Sequence, residues 1–160
     1  MSHQIEIERK FVVCSEEWRT HASAKIHMQQ GYICQCQGTS VRVRLENQIA
    51  KLNIKQISSN QLHTRHEFEY TIPEKEAKQL LSTIDPKKRI EKYRWPVMHL
   101  GKYWEVDEFL GLNKGLIIAE IELSNLNEAF VKPEWLSDEV TNDPRYYNIN
   151  LAENPYADWC

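Results

Sequence analysis

The sequence has little of what marks a chain without a core: only 5 of its 160 residues are glycine and 6 are proline, too few for a fibrous repeat, a low-complexity tract or a flexible inter-domain linker. It has no surplus of positive charge. Lys and Arg number 20 against 23 Asp and Glu, a formal net charge of −3, so no overall field draws the chain to nucleic acid or to an anionic membrane. An anion must meet a local basic cluster instead. Long apolar runs are also missing. Stretches such as Leu116-Ile117-Ile118-Ala119 fall far short of the ~20 residues of a membrane helix. The opening Met-Ser-His-Gln-Ile-Glu shows no signal-peptide pattern, and the expectation is a soluble, cytoplasmic protein. Cysteine is sparse: Cys14, Cys34, Cys36 and Cys160 are expected to be free thiols in a reducing compartment, Cys34 and Cys36 packing on one strand face. No second close Cys or Cys/His pair completes a zinc site, and no Gly-rich phosphate loop or H-E-x-x-H pair occurs.

What is present is a globular composition, 41% hydrophobic and 27% charged, expected to form one domain over residues 1–160. The dominant signal is alternation at a period of two, which means strands. Extended segments are read at about 4–14, 31–37, 39–47, 50–58, 63–72, 87–99, 102–110 and 114–123, joined by short turns. Ser15 reads as the cap of a helix carrying Trp18, Ala22 and Ile26 on one face and stopped by Gly31. A second helix is expected over 74–83, after Pro73. Beyond Ser124 the spacing turns helical, so the segment at about 124–160 is expected to pack on the sheet as helices and loops. Consecutive hairpin-connected strands imply an antiparallel meander that can close into a barrel. The fold class is α+β, an eight-stranded antiparallel β-barrel with flanking helices.

Side chains at i and i+2 share a strand face, and nearly every strand here has one ionic face. Glu6, Glu8 and Lys10 share a side; so do Arg42 and Arg44, Glu67 and Glu69, Lys92 and Arg94, Glu105 and Asp107, and Glu120 and Glu122, while Lys55 opposes Leu52 and Ile54. A solvent-facing sheet mixes Thr, Ser, Gln and Lys freely; paired carboxylates on some strands and paired cations on others suggest a ligand. If these faces converge, unpaired charges withdrawn from water must be neutralised by a guest. Clustered carboxylates without His or Cys partners suit Mg²⁺ or Mn²⁺, and clustered Arg and Lys suit phosphate oxygens. Metal plus polyphosphate satisfies both halves.

The run Ile5-Glu6-Ile7-Glu8-Arg9-Lys10-Phe11 resembles the E-x-E-x-K signature of the CYTH superfamily, the triphosphate tunnel metalloenzymes. Val41-Arg42-Val43-Arg44-Leu45, Asn53-Ile54-Lys55, His66-Glu67-Phe68-Glu69-Tyr70, Ile90-Glu91-Lys92-Tyr93-Arg94, Trp104-Glu105-Val106-Asp107 and Ala119-Glu120-Ile121-Glu122 are similar to its later elements, in order. The resemblance implies an eight-stranded tunnel that binds a small-molecule triphosphate with Mg²⁺ or Mn²⁺ and, as in the short bacterial branch, hydrolyses inorganic triphosphate to pyrophosphate and phosphate. Relatives that are adenylate cyclases or act on organic triphosphates, and a non-catalytic polyphosphate- or nucleotide-binding module, are the alternatives. On this reading Lys10, Arg42, Arg44, Lys55, Lys92 and Arg94 bind substrate. Glu6, Glu8, Asp107, Glu120 and Glu122 hold metal, and Lys55, Glu67, Glu69 and Tyr32 act in catalysis. No nucleic acid or membrane partner is expected, and the chain is read as a monomer or homodimer. There is one departure: the carboxyl-terminal helix of the family can close a tunnel mouth and supply a lysine, whereas Tyr147-Asn148-Ile149-Asn150-Leu151-Ala152 has no basic residue. Arg145 is the nearest substitute.

Overall fold

Each segment that alternates at a period of two becomes a strand. The computed structural model describes residues 7–57 and 65–159, with β1 (Ile7–Val13), β2 (Ile26–Cys36), β3 (Thr39–Glu46), β4 (Ile49–Ile57), β5 (Arg65–Ile72), β6 (Arg89–His99), β7 (Lys102–Phe109), β8 (Ile117–Leu123) and β9 (Leu136–Glu139). Two α-helices accompany them, α1 (Glu74–Thr83) and α2 (Asn148–Glu153). All pair antiparallel in one sheet of order β5-β4-β3-β2-β6-β7-β8-β1-β9. The tight β6–β7 hairpin needs left-handed backbone at both Leu100 (φ 47°) and Gly101 (φ 75°), the twist that a two-residue turn between paired strands favours.

The apolar faces pack outward from the ionic ones. Val43, Leu45 and Ala50 of β3 and β4 bury against Ala77 and Leu81 of α1. The end of this helix comes close to β2: a Cβ at Gly31 would lie 2.7 Å from Ile84 Cδ1, so a larger residue there would force the isoleucine to shift. A second core gathers Phe11, Val97, Trp104, Val106, Ala119 and Ile121 under Trp18 and Trp135.

Several expectations are corrected. The sheet has nine strands, and among the described residues it is not closed by hydrogen bonds: β9 occupies the edge of β1 through Phe11↔Glu139 and Val13↔Leu136, so that edge is not left for β5. The antiparallel sheet with few helices is as expected; the ladder among the described residues does not by itself close it into a barrel. The helix expected from Ser15 is only a 3₁₀ turn at Glu17–His21, after which Ile26 opens β2. The spacing of Trp18, Ala22 and Ile26 imitated a helix face, but Trp18 instead stacks edge-on to Trp95 at 5.7 Å. Around Trp135 the expected helical spacing is likewise a loop leading into β9. Cys14, Cys34 and Cys36 are free, as expected, but Cys34 and Cys36 are exposed, not packed, past the register shift between Tyr32 and Cys34. Glu6 and Cys160 lie outside the described residues.

Candidate active site: the ionic face of the sheet

Register places the charged pairs in one band across neighbouring strands. Glu67 and Glu69 on β5 lie opposite Lys55 and Asn53 on β4, and Asn53 opposite Arg42 on β3. Arg42 and Arg44 face Tyr32 and Gln30 on β2, whose Met28 and Ile26 adjoin Lys92 and Arg94 on β6. Arg94 faces Asp107 on β7, Glu105 faces Glu120 on β8, and Glu120 and Glu122 face Lys10 and Glu8 on β1. The band thus runs across eight strands.

Its centre is buried. Lys92 is 0% exposed and Asp107 1%, and a sheet face open to water could not enclose a lysine so completely. Lys92 Nζ lies 2.5 Å from Asp107 Oδ2, while Arg94 grips the same carboxylate through Nε at 2.7 Å and Nη2 at 2.8 Å. Burial alone would raise the Asp107 pKa; the two cations reverse this and hold it well below the usual carboxylate range. Burial, with Arg94 alongside, brings the Lys92 ammonium down to about 8. Arg94 also pairs with Glu105 at 2.6 Å. Burial raises the Glu105 pKa, and the nearby Asp107 and Glu120 carboxylates push it the same way against Arg94.

The flanks differ in sign. On β3, burial and the neighbouring Arg42 and Arg94 lower the Arg44 pKa; the Nε atoms of Arg42 and Arg44 are buried and have no hydrogen-bond partner among the described residues. Gln30, 1% exposed, leaves both amide atoms unpartnered in the same sense. Buried donors without acceptors are costly, and here they cluster where cations outnumber acids. On β4 and β5, Asn53 donates to Glu67 at 3.1 Å and to Glu69 at 2.8 Å, and Lys51 and Lys55 pair with Glu69 and Glu67 at 3.1 and 3.7 Å. The Asn53 hydrogen bond outweighs burial in lowering the Glu69 pKa. At the opposite flank Lys10 Nζ pairs with Glu120 at 3.3 Å.

The acidic corner offers oxygen donors of the kind a hard cation takes. Glu105 stands opposite Glu120, and Glu8 opposite Glu122, a like-charge pairing that disfavours an empty ladder, and every donor there is oxygen. Among the described residues no three acidic, His or Cys side chains are already gathered as a metal cluster. Asp107, expected as a metal ligand, has both oxygens engaged by Lys92 and Arg94.

One end of the face is covered. Leu151 and Ala152 of α2 pack on Ile90, Phe109 and Leu116, with Ile118 in the same cluster; Ile90, Phe109 and Ile118 lie on the ionic side by register. Arg145 is exposed and bonded to Asp143, so it does not take the position of the family lysine. Tyr147 comes to the site instead, its ring 5.7 Å from Lys10 Nζ.

Sequence reasoning brought together Glu8, Lys10, Tyr32, Arg42, Arg44, Lys55, Glu67, Glu69, Lys92, Arg94, Asp107, Glu120 and Glu122, all on this face. It passed over Glu105, Gln30, Asn53, Lys51 and Tyr147. The i, i+2 rule already placed Glu105 beside Asp107 and Lys51 beside Lys55; neutral Gln30 and Asn53 carry no charge signal, and Tyr147 arrives through the tertiary fold.

The architecture is an antiparallel sheet with a charged band on one face and helices on the other and at one end. The CYTH domain profile matches residues 4–155, and the chain belongs to the CYTH family. It is 46% identical over 154 residues to the inorganic triphosphatase of Acetivibrio thermocellus, covering 96% of this chain and 97% of that one. It is 32% identical over 151 residues to the inorganic triphosphatase of Nitrosomonas europaea, with 92% and 96% covered. A crystal structure of an inorganic triphosphatase superposes with a TM-score of 0.71 at 26% identity, covering 95% and 97% of the two chains.

Proposed function

We propose that this chain is a metal-dependent inorganic triphosphatase that cleaves tripolyphosphate to pyrophosphate and phosphate within the charged face. The observation that carries this reading is the row of cations on one face, with the buried Nε atoms of Arg42 and Arg44 left without acceptors among the described residues, in a chain so similar to named inorganic triphosphatases.

Lys10, Arg42, Arg44, Lys55, Lys92 and Arg94 bind the phosphate oxygens, the guanidinium forks matching them two at a time. Glu8, Glu120 and Glu122, together with Glu105 and Glu6, would hold Mg²⁺ or Mn²⁺. When bound, the ion offsets phosphate charge and makes water more acidic. Asp107 acts as fixed counter-ion, keeping Lys92 and Arg94 charged and aimed before the substrate arrives, the preorganisation that electrostatic catalysis requires. Glu67 and Glu69, tied to Asn53, orient Lys55 and Lys51. Tyr32 stands opposite Arg42 in the β2–β3 ladder, on the same face. The α2 cluster makes one end of the face apolar, so the phosphates lie toward its other, charged end.

Phosphate release should be measured from tripolyphosphate, ATP, thiamine triphosphate and pyrophosphate with Mg²⁺ or Mn²⁺. Tripolyphosphate should be cleaved fastest, EDTA should abolish release, and Arg44→Ala should cost roughly tenfold to a hundredfold, as loss of a charge-assisted contact predicts. No release from tripolyphosphate under any metal would reject the reading. Cyclic AMP formed from ATP would make the chain a cyclase.

A further inference from the structure

Among the described residues, Lys10 is the one cation of the proposed substrate-binding set whose backbone is held by the chain's carboxyl-terminal segment. Its backbone N–H donates to Thr141 Oγ1 at 3.0 Å, and its carbonyl accepts from Val140 N–H at 2.8 Å. The ring of Tyr147 lies 5.7 Å from the Lys10 ammonium, and its Oη reaches the Thr141 carbonyl only at 3.4 Å, a contact too long to be what holds the ring there. The ammonium also meets Glu120 at 3.3 Å, with Glu8 attracting it too. The ammonium therefore has two neighbours, a carboxylate that competes with substrate for it and an aromatic face that does not.

We infer that Tyr147 is a positioning residue for Lys10: the ring holds the ammonium in place while leaving its N–H donors for an incoming phosphate. A π face attracts a cation without accepting a directed hydrogen bond. Without the ring the four-carbon stem is free to settle on Glu120 and Glu8, and substrate must first extract it. The loss falls on binding more than on turnover. This inference rests on the proposed function for its substrate, but not for its geometry.

The test compares wild type with Tyr147→Phe and Tyr147→Leu. Cation–π energies of this kind predict a KM for tripolyphosphate raised roughly threefold to thirtyfold in Tyr147→Leu, with kcat little changed and with Tyr147→Phe close to wild type. A Tyr147→Leu enzyme with wild-type KM, or a Tyr147→Phe enzyme as impaired as Tyr147→Leu, would overturn the inference. Calorimetric binding of tripolyphosphate in EDTA supplies the second arm. Tyr147→Leu should weaken binding in the wild-type background and add no further loss in Lys10→Met; an equal loss in both backgrounds shows that the ring does not act through Lys10. Because this arm needs no turnover, failure of the triphosphatase reading shows up separately, as binding coupled to Tyr147 without phosphate release.

Discussion

Asp107 is the residue on which the band depends, since it is buried and shared by two cations. Removing it strands the buried Lys92 and leaves Arg94 with Glu105 alone, whereas removing Lys92 leaves Asp107 its bidentate Arg94. Denaturant unfolding should therefore show Asp107→Ala losing about 3–5 kcal/mol, the range for breaking a buried pair, and Lys92→Met losing clearly less. The alternation of charges made Asp107 legible as a site residue, but not which side it serves. That depends on depth and on the reach of Arg94, which no spacing encodes.

At the scale of elements, β9 and the loop after it are fastened to β1 by Arg9, whose guanidinium donates to Glu139 through Nε at 2.8 Å and Nη2 at 2.5 Å. That hydrogen bond, stronger than the opposing effect of burial, lowers the Glu139 pKa. The folded value lies below the unfolded one of about 4.3, so the contribution is present above that pH and fades as pH falls through the folded value. Melting temperature should drop more steeply below about pH 4.3 in wild type than in Glu139→Gln. Equal slopes would remove this pair from the acid response. At the other core, Leu151→Ala should cost about 2–5 kcal/mol, because Leu151 is 0% exposed in the α2 cluster. Strands and α1 were readable because their apolar residues keep one period over a whole segment. β9 was not: it has four residues, and Leu136 is its only buried position. The turn at Trp18 was misread because indole packing against Trp95 decides its conformation, not local propensity.

For the whole molecule, the sheet ends in two strands that no ladder joins among the described residues. The amides of β5 and β9 should exchange with deuterium faster than those of β7 and β8, which are paired on both sides; uniform protection would indicate closure in solution. Closure is a property of how far the strands coil, and alternation says nothing of it. The hydrophobic cap of Leu151 and Ala152 over Ile90 and Phe109 also has a bearing on traffic. Apolar side chains at that end offer an anion nothing to hold, so the cleaved product departs across the same cations that received the substrate. Pyrophosphate should then compete directly with tripolyphosphate in steady-state kinetics.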